Sequence, residues 1–268
     1  MKVESLQLNS NVTPPDQASK LKYGFGAYAN PRVNKDIYQI ATAAVNKNPI
    51  EQVYENFLLK YNKNALIERY MSDEAINSML EKAPCVKDIL AEKGANAVVC
   101  KDNLQDIKDT HINTTVEYSV RLADELNLSK SDKQAVALGS LFHDFGKIMI
   151  PQELLNKNGK LTPNERAVVD THSRIGYEML KTTGMNQKAL SIVRNHHRSA
   201  SMTNDYLSKI VSVADVYSAL TEKRAYKNSM SSEDALLIMD SFVQDGKLDG
   251  NIVQALKNTL NKENAQAA

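Results

Sequence analysis

Scarcity frames this chain of 268 residues: it has two cysteines, a formal net charge of +1 and no long apolar run. With only Cys85 and Cys100, no CxxC pair and no secretory leader pattern, a structural zinc cage and a disulfide scaffold are both excluded as organising devices. Free thiols are expected. Lys plus Arg number 33 against 32 acids, so the overall charge gives no electrostatic case for binding DNA or an anionic membrane. An anionic substrate must then be held by local groups. No stretch approaches the roughly 18 apolar residues of a spanning helix, and residues 1–11 lack the apolar centre of a signal peptide. A soluble, cytoplasmic protein is the expectation. Sustained strand alternation, internal repeats and low-complexity tracts are lacking as well, which leaves an all-α fold. Apolar residues make up 42% of the chain, enough for a real core.

What is present falls into three stretches. Residues 1–35 read as a flexible tail, because Pro14-Pro15 block helix and Tyr23 to Tyr28 alternate aromatics with flexible residues before Pro31. Residues 36–100 read as helical, with Ser72 a possible cap before Ile76, Met79, Leu80 and Ala83 at helix spacing. No chemical motif appears there, and the stretch fits either a regulatory domain or extra helices packed on the second half. Residues 103–262 carry the strong signals. A helix over about Leu104 to Leu126 puts His111 on its apolar side, and Ser131 with Gln134 suggests a capping box for a helix bearing His143 and Asp144. Thr162-Pro163-Asn164-Glu165 opens a helix with His172 in its middle and Gly184 after its last turn. Further helices span about 186–197, 205–220, 233–243 and 251–260, with His196-His197 ending the first of these and Asp215 embedded in the second.

The chain has only five histidines, His111, His143, His172, His196 and His197, and all fall in the second half with Asp144 and Asp215. A single histidine on an apolar face is more often a hydrogen-bonded core residue than a ligand. Five of them beside two carboxylates set among apolar neighbours are a different matter, since a buried carboxylate demands a partner. Imidazole and carboxylate donors without thiolates suit Mn, Fe or Zn, and seven donors exceed the need of one ion. Two divalent ions sharing Asp144 fit the count, and such sites activate water for attack on phosphorus.

In its order and wording this series resembles the HD superfamily of phosphohydrolases, and within it the HD-GYP branch. The similarity runs over about 103–262: His111, then His143-Asp144-Phe145-Gly146-Lys147, then Leu154 to Glu165, His172, His196-His197 and Asp215-Val216-Tyr217-Ser218-Ala219-Leu220-Thr221. The resemblance implies a helical domain that hydrolyses cyclic di-GMP or a related cyclic dinucleotide, with the seven histidines and aspartates holding two ions, usually iron or manganese. It also implies that Lys147 contacts the scissile phosphate and that Arg224 and Lys227 hold the ligand's phosphates. Two departures stand out. Arg198 to Tyr206 replaces the acidic residue and Gly-Tyr-Pro loop that follow the paired histidines in that branch, and Ile107 stands where a third metal's glutamate would be. Two alternatives accompany this reading: a nucleotide phosphohydrolase with another substrate, and a non-catalytic nucleotide-sensing or interaction module. A signalling-protein partner or a homodimer fits any of the three.

Overall fold

Capping side chains set most helix starts, and the local sequence forecasts them well. The computed structural model describes residues 66, 69–104, 110–222 and 229–267, so the readings of the tail, Ile107, Arg224 and Lys227 lie outside the described residues. The chain divides into two compact units, 1–45 and 46–268, and every described residue belongs to the second. The helices are α1 (Asp73–Lys82), α2 (Cys85–Ala91), α3 (Thr110–Glu125), α4 (Lys130–Phe142), α5 (Gln152–Leu155), α6 (Pro163–Val169), α7 (His172–Leu180), α8 (Gln187–Asn195), α9 (Tyr206–Thr221), α10 (Ser232–Gln244) and α11 (Gly250–Ala267). Short 3₁₀ turns stand at Lys101–Leu104 and Phe145–Met149. There is no strand among the described residues, and none of the described helices is long and apolar enough to cross a membrane.

Ser72 accepts from the Ala75 amide at 3.2 Å, and the Thr162/Glu165 capping box is complete. Two expectations need correction. α4 is capped by Ser129, whose hydroxyl accepts from the Asp132 amide at 3.2 Å, so Ser131 lies inside the first turn rather than before it. His172 is not in the middle of a helix: α6 stops at Val169, Thr171 bonds back to the Val168 carbonyl, and α7 begins at His172 itself. The break matters because it puts the imidazole at a helix end instead of along a shaft.

Two adjoining apolar cores hold the helices. The first gathers Ile76, Met79, Val86 and Ile89 with Phe142, Phe145, Met179 and Leu190, and the second gathers Leu122, Ile192, Val213, Ala214, Met239 and Leu256. α1 and α2 therefore pack into the same core as α4, α7 and α8. Both cysteines are free and half-buried. α4 contributes Ala137 and Leu141 to one core and Val136 to the other, so it runs along the seam between them. His143 and Asp144 follow at its end.

Candidate metal centre

Helix termini supply nearly all of the cluster. His111 is the second residue of α3, His143 follows α4, His172 opens α7, and His196-His197 follow α8. The last turn of a helix leaves carbonyl oxygens without an intrahelical partner. Three imidazoles take them up: His143 Nδ1 donates to Ser140 O at 2.7 Å, His172 Nδ1 to Val169 O at 2.6 Å, and His196 Nδ1 to Val193 O at 2.9 Å. A carbonyl only accepts, so each Nδ1 carries the proton and each Nε2 turns a lone pair toward the cluster.

Those lone pairs meet acceptors. His172 Nε2 lies 3.3 Å from His196 Nε2 and 3.3 Å from Asp144 Oδ1. His143 Nε2 lies 3.3 Å from Asp144 Oδ2 and 3.7 Å from Asp215 Oδ1, yet this buried atom makes no hydrogen bond. His111 Nε2 is 3.1 Å from Asp215 Oδ1. A set of converging electron pairs this close is unfavourable unless a proton or a cation lies among them. The donors form two groups in which the ligand atoms lie within 4.8 Å of one another: Asp144, His172, His196 and His197 in one, and His111, His143 and Asp215 in the other. All seven residues read from the sequence as ligands are thus brought together, and the cluster can hold divalent metal.

Burial shapes the electrostatics. It pushes His172 down to about 3 despite the opposing Asp144, and pushes His196 well below its ordinary value with help from the neighbouring His197 and His143. His143 is also pulled down by burial, but Asp144 and Asp215 outweigh that and hold it above its ordinary value. For Asp144 burial works upward, while Lys147, His143 and His172 together bring it well below the usual carboxylate range; Asp215 is lowered in the same way by His111 and His143. Burial thus keeps His172 and His196 neutral beside two ionised carboxylates, the protonation states that metal ligation requires.

Lys147 comes one 3₁₀ turn after Asp144 and places Nζ 2.6 Å from Asp144 Oδ2 while staying 20% exposed. Glycines let the turn after Asp144 pack closely on α7. A Cβ at Gly146 would lie 2.0 Å from the His172 carbonyl oxygen and 2.6 Å from the Gly176 amide nitrogen. Backbone meets backbone there, and this contact holds Asp144 against His172. Sequence reasoning passed over Asn103, a buried amide that donates to the carbonyls of both Lys147 and Ile150 at 2.8 Å. A buried asparagine has little of its own to mark it without its partners. It also passed over Ser218 and Glu222, which face His111 Nδ1 at 2.7 and 3.5 Å. The spacing of both from Asp215 on α9 is the signal that was available. The segment after His197 is pinned, with the Ala200 amide bonding Lys247 O and the Ser201 amide bonding Gly246 O. His197 and Arg198 stay exposed at this edge.

A family profile described as "HD domain" matches residues 84–252, more than half of the chain. The chain belongs to the HD-domain family. Among curated relatives of this HD protein, a 3′3′-cGAMP-specific phosphodiesterase 1 of Vibrio cholerae is 29% identical over 198 residues, 68% of this chain and 46% of the relative. The cyclic di-GMP phosphodiesterase response regulator RpfG of Xanthomonas campestris is 36% identical over 50% of this chain and 39% of its own length. A cyclic di-GMP phosphodiesterase of Thermotoga maritima is 27% identical over 81% of this chain and 60% of its own. The chain therefore spans between about two fifths and three fifths of these relatives. The HD domain of PgpH from L. monocytogenes, solved in complex with cyclic-di-AMP, overlays with a TM-score of 0.45 at 17% identity, covering 69% of this chain and 92% of that one.

Proposed function

We propose that this HD protein is a metal-dependent phosphodiesterase that hydrolyses a cyclic dinucleotide of the cyclic di-GMP or 3′3′-cGAMP kind. The observation that carries the reading is the pair of adjoining donor groups with Asp144 between them: Oδ1 faces His172 and Oδ2 faces His143. Each oxygen addresses a different group, as a carboxylate shared by two ions would. Two divalent ions, iron or manganese, held by His111, His143, Asp144, His172, His196, His197 and Asp215, fit the nitrogen and oxygen donors present. When bound, such ions polarise phosphoryl oxygens and acidify water. The names of the curated relatives point to the same substrate class.

The chain's own residues do the rest. The carbonyl-bound Nδ1 atoms fix the rings of His143, His172 and His196, so no reorientation is needed on substrate arrival. Lys147 brings a positive charge to the rim beside Asp144, where it stabilises the charge that develops on the phosphoryl oxygens. Arg224, as a bidentate fork, and Lys227, as a point charge, engage the substrate's phosphates. Hydrolysis adds water across one P–O ester bond and yields the linear dinucleotide. The test is a panel of cyclic di-GMP, 3′3′-cGAMP, cyclic di-AMP and mononucleotides offered to Mn-loaded and Fe-loaded protein. Linear dinucleotide from a cyclic substrate is expected, and turnover of mononucleotides alone would overturn the proposal.

A further inference from the structure

His111 is held differently from the other histidines. The Nδ1 atoms of His143, His172 and His196 rest on carbonyls three residues back in their own chain segments. His111 is gripped by another helix. From α9, Asp215 Oδ1 faces Nε2 at 3.1 Å, the Ser218 hydroxyl oxygen lies 2.7 Å from Nδ1, and Glu222 Oε2 lies 3.5 Å from the same nitrogen. Positions 215, 218 and 222 are spaced three and four apart, so they share one face of that helix. The Ser218 hydroxyl donates its own hydrogen to the His111 carbonyl at 3.2 Å. Its oxygen is then left to accept, and Nδ1 is the donor. Nε2 is thereby assigned a lone pair directed at Asp215. Glu222 is the C-cap of α9, where its amide bonds Ser218 O at 3.0 Å, and its side chain is only 14% exposed.

We infer that Ser218 and Glu222 are positioning residues for one of the two ion positions, the one formed by His111, His143 and Asp215, and act on that position alone. The inference rests on the metal-centre reading above. A hydroxyl and a carboxylate beside Nδ1–H hold the ring in one orientation and make Nε2 a stronger donor, and partners of this kind are generally worth a large factor in affinity. In the other donor group backbone carbonyls fix His172 and His196, so side-chain changes at Ser218 and Glu222 leave those two rings as they are.

The experiment is equilibrium dialysis of the metal-stripped full chain against buffered manganese, with bound metal per chain counted at each free concentration. Wild type is expected to take up two equivalents. Glu222→Gln and Ser218→Ala are expected to weaken one of them by about 10–100-fold and leave the other unchanged. Glu222→Asp, which keeps the charge on a shorter stem, should fall between wild type and Glu222→Gln. Asp215→Ala identifies the position by removing the same equivalent. Equal weakening of both equivalents, or of neither, overturns the inference. Because Ser218 is fully buried, Glu222→Gln carries the decision if Ser218→Ala does not fold. A wild-type chain that takes up neither manganese nor iron overturns the metal-centre reading as well, a result visible before any variant is compared.

Discussion

The two donor groups of the candidate metal centre are built by different means. Asp144, His172 and His196 stand at helix ends, and backbone fixes them: carbonyls hold the two rings, and the Gly146–Gly176 approach sets the spacing of Asp144 and His172. His111 and Asp215 come from α3 and α9, and their geometry depends on how those two helices dock on each other and on the side chains of Ser218 and Glu222. His143, at the end of the seam helix, joins the two. Backbone-fixed ligands survive most side-chain changes around them, whereas docked ligands respond to any residue that alters the docking.

The largest effect should come where both groups depend on one residue. Asp144→Ala is expected to lower phosphodiesterase activity by roughly three orders of magnitude, the loss of several kcal/mol of transition-state stabilisation, and to abolish metal uptake. Unchanged metal content would end the idea of a shared carboxylate. Next, Gly146→Ala attacks the backbone-fixed group through a contact with nowhere to relax, since its Cβ would meet main-chain atoms of α7. A cost of about 3 kcal/mol in denaturant unfolding is expected, with metal retention falling in step.

Acid should separate the groups more gently. In the metal-free protein His172 titrates at about 3, below its ordinary value of 6.5, so the unfolded chain takes up a proton that the folded chain refuses. That part of the stability is intact above pH 6.5 and is lost as pH falls toward 3. His143 shifts the other way, and its contribution is present below pH 6.5 and lost as pH rises through its raised value. Thermal midpoints of stripped protein between pH 7 and 4 should therefore decline less steeply in His172→Gln and more steeply in His143→Gln. Identical slopes in the two variants would erase the distinction. The smallest effect is a control lying in neither group: Thr162→Ala removes the α6 cap and is expected to cost about 1 kcal/mol while metal content stays constant.

Local signals read well and non-local ones did not. Thr162 to Glu165, Ser72 and the histidine and aspartate series could be found by eye because caps and ligand types are properties of single residues and short spacings. The α4 cap is Ser129 rather than Ser131 and His172 opens a helix rather than lying within one, since two serines two positions apart compete as caps and a helix break at Asp170–Thr171 has no glycine or proline to announce it. Asn103, Ser218 and Glu222 act on partners far away in the chain, and for the last two the spacing from Asp215 is the one local cue.

The sequence by itself determined an all-α protein and seven candidate donors, because residue type fixes which atoms can bind a cation and periodicity fixes which segments coil. Only the tertiary structure decided that those donors fall into two groups meeting at Asp144. That division arises because His172 and His196 stand at helix ends while His111 and Asp215 come from the paired helices α3 and α9, and the end of α4 brings His143 and Asp144 between them.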